Sequence, residues 1–326
     1  MSYLLERLPS GSRIAVIRLR SLGDCVLTTP ALALLKSHRP DLRIGVVVED
    51  RFRAVFEDIL GVDEILPPQS SALRAWHSDA VVNLHGGTRS MLLTATSGAA
   101  IKAGFAHHAY SFLYSDKIPR AQEILREERP VHTAEHLASA VFWMGVPRAE
   151  VPRARLSAGP TPKPGAYGVL HPFAATREKA WPAEGFLAVA EHLRDRAGLE
   201  PVFLVGPTDD PTAFPGFGSV RNAPLAEVKS LLAGAQLFIG NDSGPAHIAA
   251  AFGIPSVVLF GPSDPVTWAP WRTEAKVLTS PDSIQRITVE QVIAAAEKML
   301  GESFGYDFWV ARNYESFFNL LLSKLP

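Results

Sequence analysis

Cysteine is almost missing from this chain: of 326 residues only Cys25 carries a thiol. No internal disulfide can hold the fold, which suits a reducing compartment, and the lone thiol is expected to pack as a small hydrophobe. An excess of either charge is missing as well. Lys and Arg number 32 against 33 Asp and Glu, and the first 150 residues carry 17 basic against 16 acidic side chains. That excludes a protein that coats a polyanion, so nucleic acid is not an expected partner. No apolar run reaches the roughly eighteen residues of a membrane span, and "MSYLLERLPSGSR" lacks the charged start and apolar core of a secretion signal. A cytoplasmic protein follows as the expectation. Several signatures are also absent: G-x-G-x-x-G after a strand, a Walker loop, G-x-S-x-G, H-E-x-x-H, and the D-x-D spacing that holds a metal in many nucleotide-sugar enzymes. Neither a cofactor nor a metal is expected.

What is present is ordinary in bulk, 47% hydrophobic and 20% charged, and the length suggests two domains with good cores. β-Branched runs, "RIAVIRL", "LRIGVVV" and "DAVVNLH", alternate with helix-period segments, "PALALLKSH", "RFRAVFEDI" and "AEHLASAVFWMG". Such alternation predicts parallel sheets. It stops at residues 151–168, "VPRARLSAGPTPKPGAYG", where prolines and glycines break any element, and that stretch is the expected linker. Beyond it come "YGVLHP", a helix from about Ala183 to Ala197, "PVFLVG", "LAEVKSLLAGA", "QLFIGN", "SVVLF" and "TVEQVIAAAEKML". The expected fold class is therefore α/β, with two Rossmann-like domains, 1–155 and 165–326, facing each other across a cleft. The aromatic tail, 302–326, is read as a terminal helix packed on the body, with the last ~20 residues a candidate to pack back on the first domain.

Polarity concentrates in "GNDSGPAHIAAAFG", between strands "LFIG" and "SVVLF". This is a strand-to-helix loop at the carboxyl edge of a parallel sheet, where open α/β folds bind ligands. Pro245 suits the first helical position and Asp242 or Ser243 the cap, so the amides of Gly244 and Ala246 would point out of a helix end that attracts phosphate. The competing reading is a helix that merely caps itself. A second loop, "FAATREKAWPAEGF", places Thr176, Arg177 and Lys179 before the next helix, and two anion-friendly loops on one sheet suggest a diphosphate. Trp181 and Pro182 are expected to pack and to start the helix. His247 lies one turn into its helix, within reach of a ligand at the helix start. In the first half, "RSLGDCVLTTP" follows the first strand. Gly23 is expected to permit an unusual backbone, and Asp24 is either a carboxylate at a loop mouth or a helix cap.

These segments carry a resemblance. "IAVIRLRSLGDCVLTTPALALLK", "LHPFAATREKAWP" and "FIGNDSGPAHIAAAFGIPSVVLFGPSDP", in that order, are similar to the ADP-heptose:lipopolysaccharide heptosyltransferases, glycosyltransferase family nine. The resemblance spans nearly the whole chain. It implies a GT-B fold, with the acceptor held mainly by the N-terminal domain and the nucleotide sugar by the C-terminal one. It also implies inverting transfer of heptose from ADP-heptose to the lipopolysaccharide inner core, at the cytoplasmic face of the inner membrane with at most peripheral membrane contact. Asp24 then falls where the family has its general base. Thr176 and Lys179 fall at the donor phosphates, with Lys179 aiding departure of ADP, and Asp242, Ser243, Gly244 and His247 fall in the nucleotide-sugar loop. Asp209 or Asp210 is the candidate to read the donor ribose. Asn83 stands where an Asp is common, and acceptor-binding residues are not legible. The alternatives are another GT-B transferase with a different nucleotide sugar or acceptor, and a non-catalytic sugar-nucleotide-binding protein.

Overall fold

The first apolar run forms strand β1 (Arg13–Ile17), buried at every position after Arg13. The computed structural model describes residues 2–280 and 282–304. Strands β2 (Arg43–Val47), β3 (Glu64–Leu66), β4 (Ala80–Asn83), β5 (Ile101–Phe105) and β6 (Asp116–Ile118) join β1 in one sheet, and the second half of the chain supplies another. That second sheet is built from β7 (Tyr167–His171), β8 (Glu200–Val205), β9 (Gly218–Arg221), β10 (Leu237–Asn241), β11 (Ser256–Phe260) and β12 (Ala275–Thr279). Among the described residues both sheets are six-stranded, ordered β3-β2-β1-β4-β5-β6 and β12-β11-β10-β7-β8-β9. Every pairing is parallel. Read from the β9 edge, the second order repeats the first. Each is the doubly wound α/β arrangement, with its reversal between the first and fourth strands.

The α/β expectation holds. Strands covered by helices on both faces need continuous apolar runs, and β10 and β11 are buried throughout. Ile17, Val47, Val81 and Leu93 anchor one core, while Phe186, Phe203, Ile239 and Val257 anchor the other. Three local expectations change. The helix after β1 begins at Leu22 and runs to His38 with Pro30 inside it, so the polar stretch before Pro30 is helix and not loop. Gly23 is its second residue and buried; it has no positive φ, so no unusual backbone is required there. "RFRAVFEDI" gives only a 3₁₀ helix, Asp50–Val55.

Among the described residues two compact units result, one of residues 2–158 with Val266–Arg272, the other of Gly159–Pro265 with residues 273–304. The change-over at Ala158 lies inside the proline-rich stretch. The return of Val266–Arg272 to the first unit was not legible in the sequence. Trp271 fastens it there, its ring 4.6 Å from that of His132 and its indole N–H donating to the Pro152 carbonyl at 2.9 Å. His132 Nε2 completes the tie, lying 2.8 Å from the Ala269 carbonyl oxygen. The aromatic tail lies outside the described residues from 305 onward.

Candidate functional site

In the first unit the carboxyl ends of β1 and β4 meet at the reversal point, and the sequence places unusual polarity there. Arg18 follows β1 and is 6% exposed. Its Nη1 donates to Asp24 Oδ1 at 3.2 Å. Asp24 is the third residue of the helix Leu22–His38, and its Oδ2 accepts from the Ser21 hydroxyl at 2.9 Å and from the Ser21 amide at 3.4 Å. Both readings of Asp24 therefore meet in one carboxylate. It closes a capping box in the first turn, where a negative charge suits the helix dipole, and it lines a cavity of about 1100 Å³.

Asn83, the last residue of β4, is wholly buried, and its Oδ1 accepts from the amides of His85 and Gly86 at 3.0 and 3.1 Å. Gly86 and Gly87 both have positive φ. Asn83 thus shapes a tight turn that delivers His85 to the cavity. A neutral side chain suffices for that task, because it need only accept backbone N–H groups.

The same cavity gathers four imidazoles, His85, His107, His108 and His136, with Arg18 and Arg120. None of these was singled out as a site residue from sequence. His85, His107 and His108 follow β4 and β5, while His136 comes from the helix Thr133–Met144 and stacks on Phe105 at 4.2 Å. Burial, then His107, His136 and Arg18, push the His108 pKa down to about 4. Burial, then His107 and Arg18, push His136 down to about 4 despite Asp24. An ordinary imidazole titrates near 6.5, so between about pH 4 and 6.5 the unfolded chain binds protons that the fold refuses. Stability should therefore rise with pH through that window and be lost as pH falls from 6.5 toward 4. A thermal melt series should show it, with these two imidazoles contributing up to about two of the protons taken up on unfolding. His136→Phe, which keeps the stack, should flatten the slope; an unchanged slope would remove these histidines as the cause. Cys25, wholly buried with its thiol pKa pushed up to about 12 by burial, is inert packing.

In the second unit the corresponding ends are those of β7 and β10. Asn241 closes β10, fully buried; its Oδ1 accepts from the Trp181 amide at 3.1 Å and its Nδ2 donates to the Pro172 carbonyl at 2.7 Å. That pair of hydrogen bonds pins the loop after β7 to the end of β10. Within the pinned loop Thr176, exposed, stands before the 3₁₀ turn Arg177–Lys179. Lys179 Nζ lies 3.1 Å from Asp242 Oδ2, an ion pair in which the Asp242 side chain is only 10% exposed. Trp181 packs, as expected, with its indole N–H on the Ile287 carbonyl at 2.7 Å.

The helix Gly244–Phe252 has Ser243 at its N-cap and Pro245 in its first turn, one position later than expected. Ser243 makes no side-chain cap bond, and its hydroxyl is buried without a hydrogen-bond partner. Burying a hydroxyl unpaired is costly, so the simple self-capping alternative does not describe Ser243. His247, buried, is the fourth residue of this helix. Thr176, Lys179, Asp242 and Ser243 thus lie on two loops of one switch point, with Gly244 and His247 in the first turn of the helix that follows, whereas Asp24 belongs to the other unit. Asp209 accepts from the Gly206 amide at 2.8 Å and Asp210 from the Thr212 amide at 3.0 Å. Of the two, Asp209 is the one whose charge reaches His171 at the end of β7. Among the described residues no cluster of His, Cys, Asp or Glu is arranged to hold a metal ion, and no helix is long and apolar enough to cross a membrane.

Comparison with known proteins adds the following. The model of glycosyltransferase family 9 (heptosyltransferase) matches residues 70–295. Lipopolysaccharide heptosyltransferase 3 of Escherichia coli is 28% identical, the match covering 86% of this chain and 97% of the relative. Lipopolysaccharide heptosyltransferase 1 of the same species is 25% identical over 78% of this chain and 89% of the relative. A family 9 glycosyltransferase structure from Veillonella parvula superposes with a TM-score of 0.81 at 25% identity, covering 90% of this chain and 99% of that one. The E. coli ADP-heptose heptosyltransferase II does so with 0.76 at 19% identity, covering 89% and 99%. The fold shared with these proteins is GT-B.

Proposed function

Because this chain belongs to glycosyltransferase family 9, the heptosyltransferases, and is a glycosyltransferase, we propose that it moves heptose from ADP-heptose to a hydroxyl of the lipopolysaccharide inner core with inversion at the anomeric carbon. The relatives named for that activity supply the donor and acceptor class. One observation carries the assignment of roles: Asp24 and the Thr176–His247 set each stand at the switch point of their own sheet, where ligands of open α/β folds bind.

In this reading Asp24 accepts the proton of the acceptor hydroxyl as its oxygen bonds to the anomeric carbon. Arg18 holds that carboxylate in orientation through the ion pair at 3.2 Å. The bond from the anomeric carbon to the diphosphate breaks, and its electron pair leaves with ADP. Lys179, the Ser243 hydroxyl and the Gly244 amide at the helix start take up the charge of the leaving group. Pro245 has no N–H, and the Ala246 amide, expected to point out of the helix end, donates instead to the Ser243 carbonyl at 3.2 Å. Asp242 aims Lys179, and Thr176 and His247 complete the donor contacts. The reaction would take place in the cytoplasm, where a chain with a single thiol is at home.

ADP at about a hundred times its dissociation constant should stabilise the protein by roughly 2.7 kcal/mol, read as a thermal shift. Lys179→Ala should weaken ADP by about ten- to a hundredfold, the worth of a charged hydrogen bond to phosphate. Equal stabilisation by UDP would overturn the adenine nucleotide, and silence toward every nucleotide would overturn the donor site. Since a lysine and a helix end are given the task of a divalent ion, turnover should survive EDTA. Activity abolished by chelator and restored by magnesium would refute that part of the mechanism.

A further inference from the structure

Phe105 ends β5, and the ten residues that follow to Ser115, "AHHAYSFLYS", contain no Asp, Glu, Lys or Arg, in a chain where a fifth of all residues are charged. The segment divides sharply in two. His107, His108 and Ala109 line the cavity beside Asp24. Tyr110, Phe112 and Leu113 point outward, 40%, 71% and 38% exposed. A soluble chain normally folds such side chains inward, and here the backbone prevents it. Successive turns are closed by Ser111 N–H to the His108 carbonyl, Leu113 N–H to Tyr110 and Tyr114 N–H to Ser111, each at 3.0 or 3.1 Å.

The foot of the loop is fixed as firmly. Tyr114 is buried, and its hydroxyl lies 2.8 Å from His108 Nδ1 and 2.7 Å from Met91 Sδ. Its ring fills the space above Gly104, where any Cβ would collide with it. Leu92, the residue after Met91, is itself 62% exposed. The result is an apolar tip held out into solvent by an anchored base, one residue away from the cavity wall.

We infer that this tip, Tyr110 with Phe112 and Leu113, dips into the surface of a lipid bilayer and so holds the acceptor cavity against the membrane that bears the acceptor. Aromatic side chains flanked by aliphatic ones suit the headgroup boundary. A segment with no formal charge has none to desolvate on entry and no carboxylate to be repelled by anionic lipid. The lipid as occupant rests on the proposed function, since a lipid-borne saccharide must be met at a membrane surface.

The test uses the full chain and vesicles of phosphatidylethanolamine with phosphatidylglycerol. Wild type should co-sediment with them, and Phe112→Ser/Leu113→Ser should lower the partition coefficient roughly tenfold or more, with melting temperature and ADP affinity unchanged. A Phe112→Trp variant should show a blue-shifted emission on adding vesicles. If the double variant partitions like wild type, or the emission of the introduced indole does not move, the inference is overturned. It is equally overturned if the double substitution changes the sedimentation coefficient in lipid-free buffer while vesicle binding stays, because the tip then meets a second copy of the chain. Vesicle binding needs no sugar nucleotide, so tip-dependent partition in a protein that transfers no heptose would sink the proposed function and leave the membrane contact standing.

Discussion

Asp24→Asn is expected to lower turnover by roughly two to four orders of magnitude, about 3 to 5 kcal/mol of transition-state stabilisation, with ADP affinity nearly unchanged. The amide keeps a single oxygen that can still accept from the Ser21 amide and hydroxyl, which now bond to Oδ2, so the helix start survives, while its NH2 group replaces the Oδ1 that accepts from Arg18 Nη1. It cannot take a proton from an attacking hydroxyl. Arg18, 6% exposed, loses its counter-charge, and some stability goes with it. The assay therefore belongs at a temperature where melting curves show both proteins folded. ADP binding gives a second control, because the loops proposed to hold the donor sit in the other unit. An Asn variant with near wild-type turnover would leave Asp24 as a helix cap and nothing else.

The second large effect concerns stability. Asn241→Leu, with the same branching but no polar atoms, should cost about 2 to 6 kcal/mol, because it strands the Trp181 N–H and the Pro172 carbonyl in a buried site at about 1 to 3 kcal/mol each. The melting transition should fall by about 5 to 20 °C. ADP binding should weaken as well, since the Trp181 amide is what fastens the Lys179 loop to β10. A variant that melts with wild type would mean that the two groups find other partners and that Asn241 is not the pin described above.

How much of this could be read in advance depended on whether the information was local. β1, β2, β4, β7, β8, β10 and β11 announce themselves as β-branched runs, since a strand covered on both faces has no polar side to interrupt it. β3 and β6 are three residues each and β9 is "GSVR", largely exposed. Edge strands of that kind carry no pattern long enough to notice. The proposed donor loop was legible because Asp242, Ser243, Gly244 and His247 are close in sequence, at the start of an alanine-rich helix. The histidine cluster was not, because His85, His108 and His136 lie on separate elements and only the sheet brings them to one cavity. Pro30 misled in a different way: a proline normally marks a helix start, yet here the capping box at Ser21 and Asp24 launches the helix two turns earlier.

Val266–Arg272 has a bearing on inheritance. Because this strap belongs to the first unit while the chain on either side belongs to the second, the two halves are not separable by a single cut. A fragment ending at Ala158 retains His132 and Pro152 but has neither the Trp271 ring that stacks on one nor the indole that bonds the other. Recombination between relatives that crosses once, in the proline-rich stretch, would join a first half to a strap shaped for another parent's histidine. Exchange of acceptor specificity between such enzymes, in nature or by design, should therefore succeed when residues up to 158 travel together with 266–272, as one discontinuous module that takes three crossovers to transplant.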